Sequence, residues 1–416
     1  MIKVLQVGHS DLIGKRFNGY DLNKGLRLQG IQCENCVCDK LSDDDNTWEL
    51  FHVKNKKYID FIAKYIEKKI ALQSLLTPWA FTLLYDKRFN TSDLVHYHVI
   101  HGGYFNIASL PLLTYRKPSV WTLHDPWAIT GHCIHPYNCN KWLTGCGRCP
   151  DLNIDFAVDK DRTALMWKFK KYIYDRSTID IVVASQWMYN KSKQSPLLSK
   201  FRINLIPFGL DLTVFHPIDD QISKKELGVI PGSIVILFRA TNSIFKGISF
   251  IRYCLRKLTT DKSICLLTVN ERGLMDEFRG KYQIIDLGWV NDDEQIVKAY
   301  NAADIVLMPS TAEAFGMMAI EAMACGKPVL TFSGTSLSEV INPPKGGISV
   351  TQGDPDALFA VLEDLINNQN MRLKIGESAL DFARKHYNIT NYLNKHLELY
   401  SEVIARRKSD KLKCDY

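Results

Sequence analysis

The chain has 416 residues, 46% hydrophobic and 23% charged, with a net charge of +7. That length exceeds one ordinary core and predicts two domains of about 200 residues each, and the composition excludes a disordered or fibrous chain. No apolar run reaches the ~18 residues of a membrane span, and no nucleic-acid-binding motif accompanies the basic charge, so nucleic acid is not expected as a partner. Residues 1–8 turn polar too soon for a signal peptide and read as a first buried strand. A cytoplasmic location follows as the expectation, with the 11 cysteines reduced.

In the first half, strands are predicted at 3–7, 94–99, 119–123, 179–184 and 204–207, alternating with helical stretches. Gly14 and Gly19 bracket Lys15 to Asn18 ahead of a predicted helix over 20–28. Such a turn lets backbone approach a phosphate, although the spacing is not Gly-x-Gly-x-x-Gly and a plain strand–helix turn explains it equally well. Cys33, Cys36 and Cys38 belong to a strand-like run. The segment 58–85 mixes lysines with Ile, Leu, Trp79 and Phe81. It suits a helix on an anionic membrane surface, or a solvated helix covering the sheet. Much of the positive charge lies in runs such as 54–57 and 168–171.

His124 follows the strand 119–123, at the C-terminal strand end where open parallel sheets bind ligands. A lone histidine is more often structural. Beyond it comes Cys133-x5-Cys139-x6-Cys146-x2-Cys149, with His132 and His135 interspersed. The Cys-x2-Cys pair and the ability of four thiolates to close a tetrahedron suit a structural zinc. The wider first spacing leaves buried thiols or a disulfide as alternatives.

The breaker-rich stretch 206–217 reads as a linker. After it, strands are predicted at 233–238, 263–269, 283–287, 304–308, 328–332 and 347–350, with helices at 246–258, 293–302, 355–367 and 388–403 and a frayed tail over 406–416. Arg239 ends one strand and Lys246-Gly247 opens the next helix, a placement of cations able to hold a pyrophosphate. From Met317 to Cys325 every residue except Glu321 is apolar, so a buried helix carries one carboxylate that must be paired or hydrogen-bonded. Glu313 lies eight residues earlier, on the loop entering that helix. Two acceptor carboxylates beside helix N–H groups suit a molecule with both hydroxyls and phosphate, such as a nucleotide sugar. A core glutamate paired with Arg or Lys, plus a turn glutamate, is the alternative.

The Glu313-x7-Glu321 spacing, with Pro309-Ser310, Phe315-Gly316 and the run Glu321-Ala-Met-Ala-Cys-Gly-Lys-Pro-Val, resembles the motif of the retaining glycosyltransferases of family 4. Thr122-x-His124-Asp125 and the linker, Pro207-x-Gly209-x-Asp211 to Phe215-x-Pro217, are similar to segments of that family. The resemblance implies an α/β fold of GT-B architecture: two doubly wound parallel-sheet domains facing a cleft. The first would hold residues 1–208 plus a crossover helix at 388–408, and the donor domain residues 209–387. It implies transfer of a sugar from a UDP- or GDP-sugar to an acceptor hydroxyl, with no cofactor required for catalysis. Glu313 with the backbone of Phe315, Gly316, Met317 and Met318 would hold the donor sugar, Glu321 the ribose, and Lys246 with Arg239 the diphosphate. His124 would hydrogen-bond near the donor sugar, and the Gly14 loop would meet donor phosphate or acceptor. The chain departs from the pattern in lacking the glycine before Arg239 and in a longer Arg239–Lys246 spacing. The segment 124–133 resembles an insertion in some bacterial polysaccharide glycosyltransferases, pointing to a carbohydrate or lipid-linked acceptor. A sugar-nucleotide epimerase, or a silent sugar-nucleotide-binding protein, is the rival reading of the same residues.

Overall fold

The structure is a computed structural model that describes residues 2–50, 56–154 and 156–414. Lys54 and Asn55 of the basic run 54–57 lie outside the described residues. Pro207 closes one compact unit and Phe208 opens a second, which runs to Asn391; the chain from Tyr392 onward returns to the first.

The first unit is built on a seven-stranded parallel sheet: β1 (Lys3–Ser10), β2 (Gln32–Asp39), β3 (Thr47–Glu49), β4 (Leu94–His98), β5 (Ser119–Leu123), β6 (Asp180–Val183) and β7 (Ile203–Leu205), in the order β3-β2-β1-β4-β5-β6-β7. The second has six parallel strands: β8 (Ile234–Ala240), β9 (Ile264–Asn270), β10 (Gln283–Asp286), β11 (Ile305–Met308), β12 (Val329–Phe332) and β13 (Gly347–Val350), ordered β10-β9-β8-β11-β12-β13. In both sheets the order reverses once, between β1 and β4 and between β8 and β11. Crossover loops diverge there, and the C-terminal ends of those strands border a crevice. The strands β4, β5, β6, β11 and β12 are buried at every position, as central strands covered on both faces must be.

Several helices fall where the pattern predicts, including Tyr20–Leu28, Asp293–Ala302 and Pro355–Asn367. Three expectations are corrected. The predicted helix over 246–258 starts two residues later, as Ile248–Lys257: Gly247 is left-handed (φ 72°), and Lys246 ends a separate 3-10 turn, Ile244–Lys246. The segment 58–85 is not continuous. A helix Lys56–Ile70 stops where Ala71 and Ser74 take positive φ, and a 3-10 turn, Trp79–Tyr85, follows Pro78. The tail is not frayed at Arg406, because the terminal helix runs Ile389–Cys414. Arg406 holds Asp180 at 2.6 Å, and Arg407 donates to the carbonyl of Tyr115, so cations of this stretch have partners on the first unit's own body. Within the lysine run 168–171, one side chain is turned inward. Lys170 is buried, donates to the carbonyls of Trp127 (2.5 Å) and Thr130 (2.9 Å), and sits 3.3 Å above the Trp127 ring. Burial pulls its ammonium down to about 7.

Candidate functional site

The second unit places Lys246 on the loop after β8 and Glu313 on the loop after β11, the two strands flanking its order reversal. Their side chains meet: Lys246 Nζ donates to Glu313 Oε2 at 2.6 Å, with both groups only partly exposed. Thus the carboxylate that the sequence leaves open for a ligand is engaged by a cation the sequence assigns to a diphosphate. The two loops are tied in register by Thr311 N–H, which donates to the Phe245 carbonyl at 2.8 Å. A side chain at Gly247 would collide with the Pro309 carbonyl, so glycine is what allows this approach.

Glu313 is also fixed through its backbone. Ser336 Oγ donates to the carbonyls of Glu313 (3.0 Å) and Phe315 (3.1 Å), an anchor that no local pattern singles out. Phe315 is buried edge-on against Phe208 and Tyr387. Gly316 is left-handed (φ 104°), and a Cβ there would strike Leu337. The helix Met317–Ala324 therefore begins at a residue with no side-chain cap, and Met317 and Met318 are half-exposed in its first turn. First-turn N–H groups have no intrahelical acceptor, and the helix dipole favours an anion beside them.

Glu321 lies on this helix, 3% exposed. Tyr300 Oη donates to Glu321 Oε2 at 2.6 Å. Tyr300, on the helix Asp293–Ala302, is fully buried, and nothing in its local sequence marks it. Arg239 lies one residue before the end of β8, which runs on to Ala240, and its guanidinium bonds Asn270 Oδ1 at 3.1 Å. Among the described residues its bonds therefore lead toward β9, not toward the Lys246–Glu313 pair.

In the first unit, Gly14 is left-handed (φ 73°), and its carbonyl accepts from the N–H groups of Phe17 and Asn18 at 2.9 Å. That turn carries the Phe17 ring to within 5.5 Å of the His124 ring. His124 belongs to a buried polar chain. Gln6 Oε1 can only accept, so His98 Nε2 (2.7 Å away) carries the proton. His98 Nδ1 is then an acceptor, and His124 Nε2 donates to it across 3.3 Å, which makes Nδ1 the acceptor nitrogen of His124. On the other side of Gln6, its Nε2 donates to Tyr400 Oη (3.4 Å), and His96 bonds both Tyr400 Oη and Thr122 Oγ1 at 2.7 Å. Burial holds His124 down to about 3 and His96 and His98 well below the ordinary histidine range. The imidazoles are therefore neutral, and the bond to Gln6 Oε1 fixes the tautomers of His98 and His124. No spacing rule joins residues 6, 96, 98, 124 and 400.

The four cysteines do not form the expected zinc site. All four are free and partly exposed, and they line one cavity of about 30 Å³. Among the described residues, three ligand atoms within 4.8 Å of one another occur instead at His9, Cys38 and Asp39. There Lys56 Nζ sits 3.2 Å from Cys38 Sγ, and a cation in that place opposes a metal. The sulfurs of Cys133, Cys139, Cys146 and Cys149 thus lack the convergence that a tetrahedral thiolate site requires. Burial pushes the Cys133 thiol up to about 12 and that of Cys146 up to about 11.

Residues 270–382 match the family model of glycosyl transferases group 1. With two parallel-sheet α/β units of GT-B type, this match supports a glycosyltransferase. Over 267 residues the chain is 24% identical to WcaC of Escherichia coli K12, provisionally named a colanic acid biosynthesis glycosyl transferase; the match covers 62% of this chain and 64% of that one. The chain spans about half to two thirds of the length of the first curated relatives it matches. Sucrose-phosphate synthase from Thermosynechococcus elongatus shares the fold, with a TM-score of 0.69, 17% identity and coverage of 98% of this chain and 100% of that one. So does Anabaena HepE, solved in complex with UDP-glucose, with a TM-score of 0.65, 15% identity and coverage of 97% and 100%. No described helix is long and apolar enough to cross a membrane.

Proposed function

We propose that the protein is a retaining glycosyltransferase of family 4 that moves a sugar from a UDP- or GDP-sugar to a hydroxyl of a carbohydrate or lipid-linked acceptor in bacterial polysaccharide synthesis. The observation that carries this reading is the Lys246–Glu313 pair beside the uncapped start of the helix bearing Glu321. In this reading the second unit holds the donor. Glu321 accepts from ribose hydroxyls while Tyr300 holds its other side, and the N–H groups at Met317 and Met318 face the sugar and phosphate. Lys246 turns from Glu313 to the diphosphate, which frees the carboxylate to accept from sugar hydroxyls, so one ion pair is exchanged for two ligand contacts. Stabilising the departing diphosphate is the main catalytic term. Arg239 assists only if Asn270 releases it. The first unit serves the acceptor, with His124 hydrogen-bonding close to the donor sugar through its ring or backbone and the Gly14 turn ordering Phe17 against the ring. HepE, a neighbour in fold, binds UDP-glucose, and WcaC carries a polysaccharide name; both support this choice of substrates. A panel of UDP- and GDP-sugars tested by thermal shift should contain at least one that raises Tm, since a ligand of the native state stabilises it. If none does, the donor assignment fails. Incubation with the donor alone should leave its sugar unchanged apart from slow hydrolysis, whereas an epimerase would convert it.

We also propose peripheral contact with an anionic membrane at the cytoplasmic face, through the helix Lys56–Ile70. Tyr58, Phe61 and Tyr65 on it are 66%, 67% and 56% exposed, among lysines that include Lys64, Lys68 and Lys69. Aromatic residues beside lysines suit the headgroup region. The chain should pellet with anionic liposomes at low salt and less at high salt; no pelleting in either ends this assignment.

A further inference from the structure

A cavity of about 420 Å³ opens in the first unit, away from the His124 chain. It lies between the helix Lys56–Ile70, the loop after β4 and the segment 156–158. That volume is within the usual range for small-ligand pockets. Its walls combine three chemistries. Phe156, 40% exposed, and the buried Trp127 both line it and supply aromatic surface. Gln73 ties the two together, accepting from Trp127 Nε1 (3.3 Å) and donating to the Phe156 carbonyl (2.8 Å).

Glu67 and Ser74 supply the second chemistry. Glu67 is 4% exposed, and its Oε1 accepts from the N–H groups of Leu75 and Leu76 at 2.9 Å each, so the carboxylate is anchored from one side. Ser74 is fully buried and lines the cavity, yet its Oγ has no hydrogen-bond partner among the described residues. A buried hydroxyl without a partner is costly unless a ligand or water satisfies it. The third chemistry is cationic: Lys64 and Lys68 line the cavity and are exposed.

We infer that this cavity is a saccharide subsite that receives a glycosyl phosphate, the phosphate-bearing sugar of the acceptor. The inference rests on the glycosyltransferase reading for the word acceptor, but not for the binding itself. An anchored carboxylate and an unsatisfied hydroxyl match the vicinal hydroxyls of a pyranose, whose apolar face lies against an aromatic ring. The two ammonium groups then take the phosphate as point charges.

The test uses the full chain and an array of hexosyl 1-phosphates with the matching methyl glycosides, read by ligand-observed NMR. The wild type should bind at least one hexosyl 1-phosphate, and more tightly than its methyl glycoside. Ser74→Ala should weaken that binding about tenfold. The exposed pair Lys64→Glu/Lys68→Glu should abolish it while the thermal shift with UDP-sugars, which reports on the second unit, is unchanged. Binding of no hexosyl 1-phosphate, or binding that both variants leave intact, overturns the subsite. Binding here with no response to any UDP- or GDP-sugar would sink the donor assignment alone and leave the subsite standing.

Discussion

The two units solve the problem of holding polar groups in a buried place in opposite ways. In the second, an ion pair and a buried carboxylate are gathered from two loops and one short helix, and each carboxylate is met by a strong donor: Lys246 for Glu313, Tyr300 for Glu321. In the first, neutral groups from β1, β4, β5 and the terminal helix form one hydrogen-bonded chain, in which Gln6 fixes the protons of His98 and, through it, His124. A charge pair can exchange partners when an anionic ligand with hydroxyls arrives, because the lysine gains a new counter-charge and the carboxylate gains new hydrogen-bond donors. A chain of neutral histidines does not rearrange so cheaply, since moving one proton leaves a buried donor or acceptor unmatched. The second arrangement suits binding and release of a charged donor; the first suits fixed orientation.

Acid should separate the two first, and most strongly. His396, buried on the terminal helix, is held down to about 4 by burial, below its unfolded value near 6.5. As pH falls below about 6.5 the unfolded chain takes up a proton that the folded chain refuses, so stability falls until about pH 4. At pH 5 this one residue should cost roughly 2 kcal/mol relative to pH 7. Urea midpoints at the two pH values measure the loss, and His396→Gln should shrink it; an equal loss in that variant would show that this histidine is not responsible.

Breaking the charged arrangement comes next. Glu313→Ala should lower transfer by about tenfold or more with circular dichroism unchanged, because its interaction is needed in the transition state and not for folding. Wild-type turnover in that variant would remove Glu313 from the site. Tyr400→Phe attacks the neutral arrangement, since it strips the hydroxyl shared by Gln6 and His96. A loss of about 1–2 kcal/mol in chemical unfolding is expected, because His96 Nδ1 is left buried without its partner. An unchanged midpoint would mean that the chain carries no weight. The smallest effect should come from Arg406→Ala. The bond to Asp180 is partly exposed, so about 0.5–1 kcal/mol is expected, screened by salt.

Much of the second unit's site was legible because its residues lie close along the chain. Glu313, Phe315, Gly316 and Glu321 are separated by at most eight positions, and an all-apolar helix with one carboxylate announces itself in any reading. What was misjudged there was partnership. Nothing in a linear pattern says that Lys246 reaches Glu313, or that Arg239 turns to Asn270 instead. The cysteine spacing misled in the same way, because spacing bounds what a loop could bring together without saying how far apart the sulfurs end.

The sequence by itself determined the alternation of strands and helices, the parallel sheets they build, and the loops on which the candidate donor residues sit. These depend on local periodicity, on glycine at left-handed positions, and on the rule that ligands gather at C-terminal strand ends. Only the tertiary structure decided that Gln6, His96, His98, His124 and Tyr400 form one bonded chain, and that Ser74 and Glu67 share a cavity with Phe156. The reason is physical. Hydrogen bonds and cavities depend on distances of a few tenths of an ångström between residues far apart in the chain, and those distances exist only once the sheets have packed.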